Sequence, residues 1–358
     1  MRGLRICLIA SSRFPIAEPF AGGLEAHTHA LASAMRARGH RVTLFAAPGS
    51  DPDLRAETLA VDAFEPSDRA RRDVGAPPDA FMREHHAYLA LMLQLQRQGR
   101  RRFDVVHNNC LHHLPVAMSA ALEIPLVTTL HTPPTPWLES AMRLAGGRVT
   151  AVAVSAATAR HWAGTVDAGV IRNGVDVSRW RPGPGGAEAV WFGRLVPEKG
   201  PHLAIDAARA AGMRLVLAGP THDRGYFDAE IAPRLGADVR YAGHLAGPSL
   251  RRLVASSRVA LVTPCWDEPY GLVAAEAIAS GTPVAAFARG GLAEIVGPEA
   301  GRLAAADDLA GLAAAAVEAA HLPRAGVRRY AETRLSVERM VAQYEELYRS
   351  LSGMRVAA

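Results

Sequence analysis

The chain has 358 residues, of which 49% are hydrophobic and 21% charged, and it carries a formal net charge of +5. This composition excludes a disordered chain and predicts a globular protein of about two domains, each large enough for its own core. The positive charge favours an anionic ligand or surface, but the sequence has neither zinc-finger spacing nor a basic stripe interleaved with aromatic residues. We therefore expect no nucleic acid partner.

Strand and helix patterns alternate along the first half of the chain. Residues 4–10 predict the first strand, and the Gly22-Gly23 loop leads into a helix over residues 24–38 that is closed by Gly39. Residues 48–80 predict a loop with at most weak structure. The other elements predicted here are strands at 42–46, 105–106, 126–130 and 151–154, a long amphipathic helix over 81–98, and short helices, one of them capped by Ser155.

A linker divides the chain before the same alternation starts again. Asn173-Gly174 predicts a turn, and residues 181–186 are rich in Pro and Gly. The second half then predicts strands at 189–193, 214–218, 238–242 and 258–263, and helices beginning near 201, 225, 248 and 272. Strand following helix throughout predicts an α/β protein of two doubly wound parallel-sheet domains, with ligands bound in a cleft at the carboxyl ends of the strands.

The cysteines and the N-terminus give no sign of secretion or of a membrane span. Cys7, Cys110 and Cys265 are scattered and odd in number, which predicts reduced core residues of a cytoplasmic protein. No apolar run approaches the ~20 residues of a membrane span. The apolar run over residues 6–10 is too short for a signal peptide, so we interpret it as part of the first strand.

Residues 264–296 place two carboxylates around the start of one helix. A short apolar strand ends at Pro264, and helix-forming residues run from Leu272 to Ala279. Glu268 therefore lies in the loop between strand and helix, and Glu276 lies in the early turns of the helix.

The start of this helix predicts an anion site. The backbone N–H groups near Tyr270 to Val273 have no intrahelical acceptor and carry the positive end of the helix dipole. Carboxylates repel a phosphate, but each accepts two hydrogen bonds and so suits neighbouring hydroxyls. A ligand with a ribose, a diphosphate and a sugar would use all three features. The alternative is that Glu276 is an ordinary helix charge and Glu268 a solvated loop residue.

The chain contains a single lysine. The sequence contains 39 arginines but only this one lysine, Lys199. It lies in a Gly-bounded turn that follows a predicted strand, five residues after Arg194. An ammonium is a compact point charge on a flexible stem, which suits phosphate oxygens in a crowded site. The alternative is that one lysine survived codon bias by chance.

Two further features lie where strands of the first domain end. The Gly22-Gly23 loop lets backbone approach a phosphate, although a glycine pair also serves ordinary turn geometry. His131 follows the strand at 126–130, which places it either in the cleft or in a structural role. The pairs His85-His86 and His112-His113, and His27 with His29, lack metal-ligand spacing, so we expect no metal site.

Together these residues resemble the retaining glycosyltransferases of the GT-B fold, specifically glycosyltransferase family 4, over nearly the whole chain. The strongest match is the Glu268 and Glu276 pair with seven residues between them. Further matches are Gly193-Arg194, Glu198-Lys199-Gly200, Gly22-Gly23, Thr129-Leu130-His131, Val154-Ser155, Asn173-Gly174-Val175-Asp176, Gly281-Thr282-Pro283-Val284 and Gly290-Gly291. The resemblance implies a GT-B fold, in which two Rossmann-like domains face each other across a cleft.

The resemblance also implies roles for individual residues. Arg194 and Lys199 would hold the diphosphate of a nucleotide sugar and stabilise it as the leaving group. Glu276 would bind the ribose hydroxyls, Glu268 the sugar hydroxyls near C3 and C4, and His131 the C6 side of the sugar. The implied catalytic residues are Arg194, Lys199, Glu268 and His131; the implied donor-binding residues are Glu276, Gly22 and Gly23 near the diphosphate, His244 and Leu245 at the base, and Tyr270, Gly271, Leu272 and Val273, with Tyr270 standing where the family usually has Phe.

The implied function is retaining transfer of a hexose-type sugar from a nucleotide diphosphate sugar to an acceptor hydroxyl. The base is open between uridine, guanosine and adenosine, and the family favours a UDP-sugar. No metal and no other cofactor is expected, because two cations neutralise the diphosphate. The alternatives are a pseudo-glycosyltransferase that joins a cyclitol to an amine, a nucleotide-sugar epimerase on the same fold, and a non-catalytic protein that binds nucleotide sugars.

No sequence motif identifies the acceptor. The first domain is expected to bind it, and residues 48–118 are the least familiar part of the sequence. Their positive charges, at 69–72 and 100–102, suit an anionic acceptor, a membrane surface or water alone. Peripheral membrane contact is not favoured, because a single basic helix is usually just solvated.

The C-terminal segment predicts an amphipathic helix that begins after Ser336. Its apolar stripe runs along one face at helical spacing and needs a partner surface. The resemblance implies that this helix packs on the first domain, with hinge segments near 173–181 and 321–330. The predicted divisions are an acceptor-side domain over 1–172, a nucleotide-sugar-binding domain over 173–330, and the returning helix over 331–358; the stripe is Val337, Met340, Val341, Tyr344, Leu347, Tyr348 and Leu351.

Overall fold

The computed structural model describes residues 2–353. The first part of the chain folds around a seven-stranded parallel sheet of order β3-β2-β1-β4-β5-β6-β7. Apolar runs form its central strands, which are buried on both faces as parallel strands require. The strands are β1 (Arg5–Ile9), β2 (Arg41–Ala46), β3 (Glu57–Thr58), β4 (Val105–Asn108), β5 (Leu126–Leu130), β6 (Val149–Ala153) and β7 (Gly169–Val170).

The second part folds around a six-stranded parallel sheet of order β10-β9-β8-β11-β12-β13. In both sheets the order of the strands reverses beside the first strand, between β1 and β4 and between β8 and β11. Such a switch point opens a crevice at the carboxyl ends of the strands. The strands are β8 (Ala189–Phe192), β9 (Leu215–Ala218), β10 (Val239–Tyr241), β11 (Ala260–Val262), β12 (Val284–Phe287) and β13 (Gly301–Ala304).

Helices cover the faces of the two sheets. The helices that accompany the first sheet are α1 (Gly23–Ala37), α2 (Asp68–Arg71), α3 (Asp79–Arg102), α4 (Leu114–Ala117), α5 (Pro136–Ala145) and α6 (Ala156–Trp162). Those that follow are α7 (Pro201–Ala210), α8 (Arg224–Tyr226), α9 (Gly247–Ala255), α10 (Leu272–Ala279), α11 (Leu292–Ile295), α12 (Leu309–Ala319), α13 (Arg324–Tyr330) and α14 (Val337–Leu351).

Two predicted helices differ from the structure. Helix α3 continues to Arg102 instead of ending at residue 98, because Gly99 packs closely on Ile124 and the arginines that follow interact favourably with the negative helix end. The helix expected near 225 is a single turn, α8, followed by a π-helical turn over Phe227–Ile231.

The chain passes between the two domains twice, at adjacent places. Val175 pairs with Ser336 in a parallel bridge, and a Cβ atom on Gly174 would lie 2.4 Å from Val337 Cα. The return was expected near 321–330, but Val327, on α13, is buried in the core of the second domain. The return therefore occurs at Ser336, whose side chain accepts a hydrogen bond from the first turn of α14, as predicted for an N-cap.

Helix α14 lies against the first domain. Its Tyr344 hydroxyl is 2.9 Å from Thr129 Oγ1, and its Tyr348 hydroxyl is 2.5 Å from His107 Nδ1. Burial along the helix follows the predicted stripe, with Leu347 and Leu351 only partly covered. The buried members, which share a core cluster with Leu31 and Met35 of α1, are Val337, Met340, Val341, Tyr344 and Tyr348.

The cysteines correct one expectation. Cys7 and Cys110 are free and buried, but Cys265 is exposed, because it lies in the loop after β11 rather than in the strand. Within residues 2–353, no helix combines the length and the apolar character needed to cross a membrane.

Candidate active site between the two sheets

A cleft of about 910 Å³ lies between the carboxyl ends of the two sheets. The first domain contributes the loops after β1, β4 and β5, and the second contributes the loops after β8, β9, β10 and β11. Every residue proposed from the sequence lines this one cleft: Gly22, Gly23, His131, Arg194, Lys199, His244, Leu245, Glu268, Tyr270, Gly271, Leu272, Val273 and Glu276. These residues therefore share one site, and the role of each one remains a prediction.

Glu268 is held in place by a glycine pair on the neighbouring loop. Gly290 has φ of +56°, and a Cβ atom there would lie 2.3 Å from the Glu268 carbonyl oxygen. The Gly291 N–H donates to that same oxygen at 2.7 Å. This glycine pair is one of the family motifs found in the sequence. Glycine is needed there because a side chain would displace the Glu268 loop.

The single lysine contacts this carboxylate. Lys199 Nζ donates to Glu268 Oε2 at 2.5 Å and lies 5.2 Å from the centre of the Trp266 ring. The Lys199 side chain is 24% exposed and that of Glu268 13%. The pairing was not expected from the sequence, and it fixes the ammonium in the cleft.

Arg194 lies nearby with a more open guanidinium. Its Nη2 is 3.7 Å from Glu198 Oε1, and both side chains are well exposed. Glu25, in the first turn of α1, is buried in the same cleft. Burial raises the pKa of Glu25, an effect opposed by backbone hydrogen bonds and by the charge of Arg194.

Two helix N-termini meet across the cleft. Helix α1 begins at Gly23, and a Cβ atom on Gly23 would lie 3.1 Å from Leu272 Cδ1, at the start of α10. Gly271 precedes α10 with φ of +95°, where a side chain would collide with Leu292. The first-turn N–H groups of both helices have no intrahelical acceptor, so the two domains both offer positive helix ends to one anion.

Glu276 lies further along α10 and is half-buried. Burial raises the pKa of its carboxyl group to about 8, with Glu18 adding to the rise and Arg251 opposing it. Glu18 itself bridges the domains, since its Oε1 accepts from Arg179 and from Arg251 at 2.8 Å each. The free carboxyl of Glu276 is therefore mostly protonated at neutral pH.

His131 is half-buried beside the buried imidazole of His27. Its Nε2 donates to Asn109 Oδ1 at 3.0 Å, which leaves Nδ1 as an acceptor, and its ring meets the edge of His27 with centroids 5.1 Å apart. Burial lowers the pKa of His131 well below its usual value and that of His27 to about 4. Both rings are therefore neutral and offer hydrogen bonds rather than charge.

The residues expected at the nucleotide base, His244 and Leu245, also line the cleft. His244 is exposed there, and Leu245 follows it in the chain. Partial burial lowers the pKa of His244, and the charge of nearby His222 lowers it further. Tyr270 is buried, and within residues 2–353 its hydroxyl makes no hydrogen bond. In the same part of the chain, no group of three or more His, Cys, Asp or Glu side chains is arranged to hold a metal ion.

Comparison with known proteins gives the family. The model described as Glycosyltransferase Family 4 matches residues 21–179, and that described as Glycosyl transferases group 1 matches residues 186–321. The glycogen synthase of Mycobacterium tuberculosis (strain ATCC 25618 / H37Rv) is 30% identical over 371 residues, with 90% of this chain and 88% of that protein covered. The chain belongs to glycosyltransferase family 4. It is accordingly a glycosyltransferase, as the motifs predicted.

Other relatives agree with this assignment. The D-inositol 3-phosphate glycosyltransferase of Arthrobacter sp. (strain FB24) is 26% identical over 349 residues, covering 82% of this chain and 80% of that protein. AviGT4, a glycosyltransferase involved in avilamycin A biosynthesis, superimposes with a TM-score of 0.69 at 26% identity and covers 98% and 99% of the two chains. Anabaena Alr3699/HepE, solved in complex with UDP and glucose, superimposes with a TM-score of 0.74 at 19% identity over 97% and 100%. The predicted GT-B fold is confirmed.

The sequence did not reveal three cleft residues of this glycosyltransferase. Glu25 follows the Gly22-Gly23 pair, and an acid in a first helical turn is an ordinary signal. Glu18 and His27 carry no motif either. Their burial and their partners depend on how the two domains face each other, which spacing along one chain does not encode.

Proposed function

We propose that this glycosyltransferase moves a hexose-type sugar from a UDP-sugar to an acceptor hydroxyl, with retention and without a metal ion. One observation carries the proposal. Lys199, Arg194 and the N-termini of α1 and α10 converge in the cleft, with Glu268 beside Lys199 and Glu276 further along α10. The arrangement matches a ligand with a diphosphate flanked by two groups of hydroxyls.

The positive groups would act on the leaving diphosphate. Negative charge develops on it as the bond to the sugar breaks, and preorganised cations and N–H donors stabilise that charge more than the ground state. Lys199 is held by a short hydrogen bond to Glu268, whereas Arg194 makes a longer and more exposed ion pair with Glu198 at 3.7 Å. Two side-chain cations and two helix ends supply the charge that a divalent cation would otherwise supply.

The carboxylates would orient the hydroxyls. Glu268, next to Lys199, would accept hydrogen bonds from the transferred sugar. Glu276 would bind the ribose, and its raised pKa lets a protonated carboxyl donate as well as accept. His131, held neutral with a free Nδ1, would accept from the hydroxyl on the C6 side.

Retention of the anomeric configuration is proposed from the resemblance to retaining family 4 enzymes and not from a distance between atoms in the structure. In the proposed course the acceptor hydroxyl attacks from the face on which the diphosphate leaves. The new bond joins the acceptor oxygen to the anomeric carbon as the bond to the phosphate oxygen breaks, and a phosphate oxygen takes the proton. Analysis of the anomeric configuration of the product by NMR tests this step, and an inverted product refutes it.

The choice of UDP is tested by thermal shift. Solved relatives of the same fold are described with UDP, with UDP-glucose and, for starch synthase IV of Arabidopsis thaliana, with ADP and acarbose. A nucleotide that binds the native state at 100 times its Kd adds about 2.7 kcal/mol of stability. We expect UDP to raise the melting temperature more than GDP or ADP, with and without EDTA. No rise with any of the three would refute a nucleotide site.

Paired variants separate the two carboxylates. Glu276→Gln should weaken binding of free UDP as well as of the UDP-sugar, because the ribose is common to both. Glu268→Gln should leave UDP affinity unchanged and slow sugar transfer. Calorimetric titration of UDP into both variants checks the assignment, and the reverse pattern would exchange the two roles.

A further inference from the structure

A stack of aromatic rings lies on the first domain and directly follows, in the chain, a residue that lines the donor cleft. Trp137 packs on His113 with ring centroids 5.3 Å apart, His113 on His112 at 4.5 Å, and His112 on Tyr88 at 4.7 Å. We call these four side chains the aromatic stack. It runs from the solvent into the core, and Leu111, next to it in sequence, lines the cleft itself.

The inner end of the aromatic stack is fixed by hydrogen bonds. The Tyr88 hydroxyl donates to the Ala10 carbonyl at 2.9 Å and accepts from the Ser12 N–H at 2.9 Å, which ties the ring to the end of β1. His112 Nδ1 accepts from the Leu114 N–H at 3.2 Å. Rings held in this way lose little entropy when a ligand binds.

The outer end is open to a ligand. The Trp137 residue is 65% exposed and Leu111 41%, so apolar surface faces the solvent beside the cleft. His113 is half-buried and makes no side-chain hydrogen bond within residues 2–353, so its ring edge offers one donor and one acceptor. An indole face beside a polar edge suits a ring that is apolar on its face and hydroxylated on its rim.

The two imidazoles of the aromatic stack are neutral, and the arginine nearest to them is paired. Burial lowers the pKa of His112 to about 3, and burial lowers that of His113 as well, so both rings are neutral at physiological pH. The charged neighbours Arg13 and Glu84 pair with each other at 2.6 Å. The arginine that faces His112 is therefore compensated by a carboxylate and is not free to recruit an anionic ligand.

We propose that the outer end of the aromatic stack, Trp137 with His113, is the acceptor subsite and binds a neutral saccharide. The inference rests on the proposed sugar transfer and adds the chemical class of its acceptor. The C–H face of a sugar ring lies on the indole, and its hydroxyls meet the edge of His113. Leu111, which directly precedes His112 in the chain, lines the donor cleft and so connects this subsite to it.

Saccharide binding without nucleotide tests the subsite. Maltoheptaose and cellohexaose, two neutral glucans of different linkage, are titrated by calorimetry into the wild type and into Trp137→Ala, Trp137→Phe and Leu144→Ala. Leu144 lies on the same helix, α5, and is 84% exposed, so its variant removes a similar apolar surface elsewhere. We expect at least one glucan to bind, Trp137→Ala to weaken it about tenfold, Trp137→Phe to retain most of the affinity, and Leu144→Ala to change nothing.

Two results would overturn the subsite. One is that neither glucan binds the wild type; the other is that Trp137→Ala binds as tightly as Leu144→Ala. Because the titration contains no nucleotide, its outcome is independent of the UDP thermal shift that tests the donor. A retained thermal shift with UDP in Trp137→Ala confirms that a loss of glucan binding reflects the missing ring rather than unfolding.

Discussion

Replacing Glu276 with Gln should stabilise the ligand-free enzyme at alkaline pH. Burial first, and the Glu18 carboxylate second, raise the pKa of Glu276 from 4.5 to about 8. The folded state therefore keeps a proton that the unfolded chain releases. The stability from this group is fully present below pH 4.5 and is lost as the pH rises through about 8.

The size of the effect follows from that pKa. A rise from 4.5 to about 8, at about 1.4 kcal/mol per pKa unit, gives an upper limit of about 5 kcal/mol for the cost of ionising Glu276 in the folded state. Water on the open side of the cleft screens part of this cost, so we expect roughly 1 to 3 kcal/mol between acidic and alkaline conditions. Gln has nearly the same shape but no charge, so the variant does not bear this cost.

The assay is urea denaturation of the wild type, Glu276→Gln and Glu346→Gln at about pH 5 and about pH 9. Glu346 lies on an exposed face of α14, so its variant removes the same formal charge without relieving burial. The stability gained by Glu276→Gln over the wild type should grow with pH, whereas that of Glu346→Gln should stay constant. Parallel pH profiles for the wild type and Glu276→Gln would refute the reasoning.

Three further outcomes are expected. Lys199→Ala should lower turnover about 100-fold, while Arg240→Ala, which removes an exposed cation of the same domain, should leave the rate near that of the wild type; equal rates in steady-state assays would remove Lys199 from the leaving-group site. Gly271→Ala should lose both stability and nucleotide binding, because φ of +95° strains any side chain there, and an unchanged thermal melt would contradict this. Tyr348→Phe should cost about 1 to 3 kcal/mol in urea denaturation by leaving Nδ1 of buried His107 without a partner, although Nε2 keeps its contact with Thr129, and should increase hydrogen exchange in β4; unchanged exchange there would show that the bond contributes nothing.

Much of the site could be predicted because parallel strands bring their carboxyl ends to one edge. Glu268 and Lys199 follow different strands of the second sheet, and His131 follows a strand of the first, so each belongs to the cleft once the strands are assigned. Apolar runs assigned those strands, since a strand buried on both faces has no polar positions. The N-caps Ser155 and Ser336 were predicted for a similarly local reason, and both side chains accept the expected hydrogen bonds.

What could not be predicted depends on distant partners. Strand β13 has a half-exposed sequence, Gly-Arg-Leu-Ala, and becomes a strand because β12 supplies its hydrogen bonds. The Glu18 bridges to Arg179 and Arg251 exist because the two domains face each other in one orientation. No property of residues 17–19 alone indicates either contact.

The paired crossing at Val175 and Ser336 has a mechanical consequence. A single linker lets two domains twist as well as swing, but two segments joined side by side resist twisting. We infer that the domains open and close by rotation about a single hinge axis through this pair. Helix α14 would move with the first domain, on which it packs, although it follows the second domain in the chain. Each opening and closing would then return Gly23 to the same place opposite Leu272, so that alignment of the two helix ends is repeated from one turnover to the next.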